Sequence, residues 1–104
     1  MREELRNKFF DTLLRTLNYA IEFADERSYA SLRFMDLFQQ LLDLQKLISE
    51  LRDDKFYDEL RNKLKERQIM VNRDERKKLQ KELLKIFIEE WKKRKRRTSS
   101  FQNL

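Results

Sequence analysis

The basic residues in the last third of the sequence are the ones whose type and spacing best support a chemical role. Residues 71–104 hold 12 Lys/Arg and five Asp/Glu, a surplus of +7, whereas residues 1–70 hold 13 and 14. Lysine and arginine at this density neutralise phosphates and make binding strongly salt-dependent. The pattern predicts contact with DNA or RNA. The residues expected to make it are Arg73, Arg76, Lys77, Lys81, Lys85, Lys92, Lys93, Arg94, Lys95, Arg96 and Arg97.

The basic run over residues 92–97 also has simpler explanations. Positive charge stabilises the C-terminus of a helix, keeps a chain soluble, or serves as a nuclear-import signal, and a partner could be acidic without being nucleic acid. An anionic lipid is disfavoured because the run has no interleaved apolar anchors. Trp91 and Phe101 have rings that can stack on unpaired bases, but Trp91 falls in an apolar stripe and is expected in the core.

The residue types most used in catalysis are missing. The sequence has no His and no Cys, which removes the commonest general base and the thiol nucleophile. Carboxylates are the ligands that Mg²⁺ prefers, but Glu22, Asp36 and Asp43 fall in the polar sectors of their predicted helices. We therefore expect a non-catalytic protein with no metal, no cofactor and no small-molecule substrate.

Four polar residues share one edge of the second predicted helix: Tyr29, Arg33, Asp36 and Gln40. Arg33 falls within the apolar sector and is expected to be partly buried, paired with Asp36 or with an acid on the first helix. A buried pair can set register or partner choice. The cluster predicts a polar pocket or a lock at a dimer interface, or else an ordinary salt bridge at the core boundary.

The elements that must position these residues are helices. The chain contains neither Gly nor Pro, the residues that turns and hairpins depend on. Hydrophobic periodicity predicts four helices, over about residues 3–24, 29–51 and 55–67 and from about residue 73 into the basic run. We expect an all-α bundle without a sheet. Residues 1–97 would form a single domain and residues 98–104 a flexible tail.

The second predicted helix is the most apolar, with apolar residues around about two-thirds of its circumference. Such a helix is expected to lie at the centre of the bundle. Because the other helices cover so wide an arc poorly, we expect a homodimer in which the first two helices pack across a two-fold axis. A compact monomer with a few exposed leucines is the alternative. The rival function is a structural homo-oligomeric interaction module whose basic tail only maintains solubility.

The stretch DERSYASLRFMD, residues 25–36, resembles a family of small helical prokaryotic proteins of unknown function. Its members share an acidic turn, a tyrosine, then Leu-Arg and an aliphatic pair followed by Asp. Here Ala30-Ser31 stand where the family tends to have Gly or Pro. The resemblance implies a helical fold and a role for Tyr29, Arg33 and Asp36, with no activity attached.

Composition also bears on the cellular setting. Charged residues make up 42% of the chain, a bias similar to that of hyperthermophile proteins. No apolar run is long enough to cross a bilayer, and the charged first ten residues are not a signal peptide. We expect a cytoplasmic protein.

Overall fold

The computed structural model describes residues 2–25, 28–66 and 73–102, with the backbone alone at positions 2, 28, 66, 73 and 96–102. These ranges form four α-helices: α1 (Arg2–Glu22), α2 (Ser28–Leu47), α3 (Phe56–Glu66) and α4 (Arg73–Gln102). No strand occurs among the described residues. The predicted all-α bundle is confirmed. Within the same ranges, no helix combines the length and apolar character that crossing a membrane requires.

Two helix ends differ from the sequence prediction. α2 ends at Leu47 rather than near residue 51, because the Ile48 amide bonds the Gln45 carbonyl three residues back and tightens the last turn. The Gln45 side chain also donates to the Leu51 carbonyl in the following turn. α4 continues through Gln102, where a tail was expected from residue 98, because no Gly or Pro interrupts it. Residues 103 and 104 lie outside the described part of the chain.

The helices pack as a bundle in which α1 lies against α2 and α4, and α3 lies against α4 and α2. Aromatic rings fill one end of the core. Phe56 meets Phe87 with centroids 5.1 Å apart and Tyr57 with centroids 5.2 Å apart, and Phe10 meets Phe87 at 5.3 Å. Steeply tilted pairs of this kind contribute about 0.5–1.5 kcal/mol beyond their buried area. The ring cluster fixes the position of α3 against α1 and α4.

α2 occupies one corner of the bundle and not its centre, which corrects the sequence prediction. Met35 and Phe38 on its inner face are buried, whereas Leu37, Leu44 and Leu47 are exposed. The reason is geometric: a helix whose main neighbours are α1 and α3 can bury only the sector that faces them. Part of the wide apolar arc of α2 is therefore left in contact with solvent.

A buried chain of hydrogen bonds joins three helices. Gln80 Nε2 in α4 donates to Ser31 Oγ in α2 at 3.0 Å, and Ser31 Oγ donates to the Ala20 carbonyl of α1 at 2.7 Å. Ala20 is in the last turn of α1, where carbonyls have no partner within the helix. The Ser31 hydroxyl on the side of α2 thus donates the hydrogen bond that the Ala20 carbonyl at the end of α1 lacks within its own helix.

Candidate nucleic-acid interface

One exposed face of α4 carries a row of lysines, which we call the lysine ridge: Lys78, Lys81, Lys85 and Lys92. Steps of three, four and seven residues keep side chains on one face of a helix, and all four are exposed. At 1.5 Å per residue the ridge is about 21 Å long. Lys78 is not among the contacts predicted from the sequence, although the same periodicity places it on the ridge.

The ridge lies within a strongly positive surface. Between residues 78 and 95, all of which the structure describes, the exposed charged side chains are six lysines and one glutamate, Glu89. Lys93 and Lys95 supply the two lysines outside the ridge, and we call the six together the lysine surface. Five net positive charges on one side of a single helix produce a potential that attracts polyanions over roughly a Debye length, about 8 Å at physiological salt.

Two arginines predicted to contact nucleic acid are instead on the inner face of α4. Arg76 is 5% exposed, and Arg94 is also turned inward, with 21% of its side chain exposed. The two residues are 18 positions apart, five full turns of helix, so they share one side with the buried Leu83. Arg76 is not accessible to an external phosphate, and its predicted contact is wrong; Arg94 keeps some exposure, but its charge is paired within the fold.

Arg94 is held by two carboxylates and two rings. Its Nη2 lies 2.9 Å from Asp54 Oδ2 and its Nε lies 2.9 Å from Glu90 Oε2. The guanidinium carbon stands 4.6 Å from the centroid of the Phe10 ring and 5.6 Å from that of Phe56. The positive charge of Arg94 is thus used within the fold, joining α4 to the turn before α3.

The environment of Arg94 shifts the pKa of two groups, Arg94 itself and the neighbouring Tyr57. Burial disfavours the charged form of Arg94, but the hydrogen bond to Glu90 and the charge of Asp54 outweigh it, so the pKa of Arg94 is raised. Burial raises the pKa of the neighbouring Tyr57 hydroxyl well above its ordinary value, and the positive charge of Arg94 offsets only part of that rise. Both groups therefore keep their protons at neutral pH.

The remaining predicted contacts are only partly available. Lys77 is half-buried and pairs with Asp25 in the turn after α1. The side chains of Arg73, Arg96 and Arg97 lie outside the described part of the structure. The predicted contacts that the structure leaves exposed are Lys81, Lys85, Lys92, Lys93 and Lys95.

Trp91 lies at the edge of the lysine surface and not in the core. It is 47% exposed, because at this level of the bundle Arg94 covers the Phe10 ring. Lys95 Nζ stands 4.8 Å from the centroid of the indole. Trp91 borders a groove of about 370 Å³ between α1 and α4. The groove is lined by Asn7, Phe10, Asp11, Leu14, Trp91, Arg94 and Lys95.

The polar cluster predicted on the second helix is not a single site. Arg33 is exposed, donates to the Tyr29 hydroxyl at 2.8 Å and stacks over its ring. Gln40 donates to Asp36 at 2.8 Å. Each bond joins residues four apart, one turn along the helix. The expected burial of Arg33 and its pairing with an acid are wrong, because α2 turns this edge away from its neighbours.

Comparison with known proteins gives no match. No protein-family model matches it. No curated protein and no solved structure is significantly similar to it. The resemblance over residues 25–36 therefore stays a prediction. Within the described ranges, no group of three or more acidic side chains is placed to hold a metal ion.

Proposed function

We propose that this protein is a non-catalytic binding protein that holds the phosphate backbone of nucleic acid against the lysine surface of α4. The observation that supports the proposal is the exposed charge of residues 78–95, six lysines against one glutamate. The proposal keeps the cytoplasmic location expected from the sequence.

The side chains of the ridge suit the phosphates of nucleic acid better than the carboxylates of a protein partner. A protein partner would have to fit the ridge with a surface of defined shape. Each lysine ends in a compact, strongly hydrated charge on a flexible stem. Side chains of this kind follow a backbone of repeating charges without fixing its sequence, and their binding energy comes largely from released counterions. DNA and RNA present the same phosphates to the ridge.

The test is fluorescence anisotropy with labelled single- and double-stranded DNA and RNA, with salt concentration stepped across a series of titrations. We expect the logarithm of the binding constant to fall linearly with the logarithm of salt concentration. The triple variant Lys78→Gln, Lys81→Gln, Lys85→Gln removes three ridge charges. It should reduce the slope on duplex DNA by about 2 to 3, since each phosphate contact contributes about 0.9.

A matched control separates the ridge from overall charge. Lys8, Lys46 and Lys65 are exposed on α1, α2 and α3, and changing all three to Gln removes the same charge away from α4. We expect this control to retain most of the affinity and of the slope. The absence of binding at low salt would refute the proposal, as would equal losses in the two triple variants.

A second candidate function rests on a different surface. Leu37 and Leu44 are each 44% exposed and Leu47 is 81% exposed along α2. An apolar strip of this kind suits a structural homo-oligomeric module in which the basic C-terminus only maintains solubility. The two candidates differ in salt dependence, because an apolar interface is not weakened by salt.

A further inference from the structure

The groove beside Trp91 lies next to the lysine surface. The Trp91 ring is half exposed and Leu14 of α1 adds a partly exposed apolar side chain to the lining, whereas the Phe10 ring is buried beneath the Arg94 guanidinium. The groove's volume of about 370 Å³ falls within the range of small-molecule sites, about 300–1,000 Å³. The groove can therefore accept a planar group the size of a nucleobase.

Polar groups stand at the rim of the groove. The Asn7 side chain offers an amide donor and an acceptor, and the Asp11 carboxylate, which pairs with Arg15 at 2.9 Å, is a further acceptor. Lys95 lies against the indole, and Lys92 follows on the ridge one residue after Trp91. An apolar slot with hydrogen-bonding groups at its edge and cations beside it matches a base attached to its own phosphate.

From this arrangement we infer that the groove between α1 and α4 receives an unpaired base, so that the ligand of the lysine surface is single-stranded nucleic acid. This inference rests on the proposed function and adds the strand state of the ligand. Stacking on an aromatic side chain requires a base whose face is uncovered. In a duplex both faces of every internal base are already stacked, and only the phosphates would meet the protein.

The experiment uses Trp91, the only tryptophan of the chain, as its own probe. Intrinsic fluorescence and anisotropy are followed while the full chain is titrated with oligothymidylate, with a duplex of equal length, and with a single strand of equal length that carries abasic sites. We expect oligothymidylate to quench Trp91 and to bind at least about tenfold more tightly than the abasic strand. The duplex should bind without quenching.

Two variants test the same point by affinity. Trp91→Ala should weaken oligothymidylate binding by about tenfold or more and leave duplex binding within about twofold, whereas Trp91→Phe should retain most of the affinity because a ring remains. Tyr19→Ala is the matched control, since Tyr19 is 46% exposed and lies on α1 away from the groove. Circular dichroism verifies that each variant is folded.

The outcomes separate this inference from the proposed function. Salt-dependent binding of all three ligands with equal affinity, with no change in Trp91 fluorescence and no effect of Trp91→Ala, would overturn the base site and leave the phosphate surface standing. Failure of every ligand to bind at low salt would overturn both. Equal losses in Trp91→Ala and Tyr19→Ala would also overturn the base site.

Discussion

Arg94 of α4 and Asp54 of the turn before α3 form an ion pair with 2.9 Å between Nη2 and Oδ2. The other carboxylate oxygen of Asp54 accepts the backbone N–H of Phe56, the first residue of α3, at 3.2 Å. One aspartate thus caps a short helix and neutralises an inward-facing arginine 40 residues later. The charge of Arg94, which in the sequence is part of a basic run, serves the fold.

Removal of Arg94 should destabilise the protein strongly. Arg94→Gln leaves the Asp54 and Glu90 carboxylates partly buried without a cation, and we expect the free energy of unfolding to fall by about 2–4 kcal/mol. The loss should be somewhat below that of a fully buried pair, because each group retains some exposure. Urea denaturation monitored by circular dichroism measures it.

An exposed ion pair provides the comparison. Arg15 and Asp11 are also 2.9 Å apart, but their side chains are 66% and 46% exposed, so Arg15→Gln should cost less than about 1 kcal/mol. Equal losses of unfolding free energy in Arg94→Gln and Arg15→Gln would show that burial adds nothing to the contribution of the Arg94 ion pairs.

The stability of the fold should depend on Tyr57 at alkaline pH. Burial raises the pKa of Tyr57 above its ordinary value, so below about pH 10 both the folded and the unfolded chain keep the proton. Above about pH 10 the unfolded chain loses the Tyr57 proton before the folded chain does. The ionisation of this group then lowers the free energy of unfolding by about 1.4 kcal/mol per pH unit. The fall continues until the pH reaches the raised pKa of the folded state.

Tyr57→Phe isolates that contribution. The difference in unfolding free energy between the wild type and this variant should be constant below about pH 10. Above that pH the wild type should lose stability relative to the variant. Urea denaturation across a pH series gives the difference directly. A difference that stays constant throughout the alkaline range would contradict the assignment.

The buried serine that joins three helices should be sensitive to a small change. Ser31→Ala removes the acceptor of the Gln80 amide and the donor to the Ala20 carbonyl, and should cost about 1–3 kcal/mol of unfolding free energy. Adding Gln80→Leu should recover part of the loss, because the amide no longer lies in the core without a partner. If the losses of unfolding free energy from Ser31→Ala and Gln80→Leu are instead additive in the double variant, the two residues are not coupled.

The apolar strip of α2 predicts self-association. We expect light scattering at high protein concentration to give twice the 13.1 kDa mass of the chain, and Leu44→Glu with Leu47→Glu to return it to the mass of one chain. Ile88→Glu, at a similarly exposed apolar position on α4 (41% for Ile88, 44% for Leu44), should leave the dimer intact. A single-chain mass for the wild type at every concentration would rule out the dimer.

Local pattern in the sequence accounts for the helices and for most of their buried faces. The apolar residues of α3, Phe56, Tyr57, Leu60 and Leu64, are buried together, because the 3.6-residue period shows which side of a helix is apolar without knowledge of its neighbours. The inward position of Arg76 and Arg94 was also readable, since both share the register of Leu83.

By itself the sequence determined an all-α chain with a basic last third, since periodicity and the absence of Gly and Pro act within a few residues. Only the tertiary structure decided that Arg94 pairs with Asp54, that Trp91 borders a groove, and that α2 takes a corner of the bundle. Those outcomes depend on partners far away in the chain, such as Asp54 for Arg94. Burial is decided by which helices meet, and a periodicity within one helix carries no information about its neighbours.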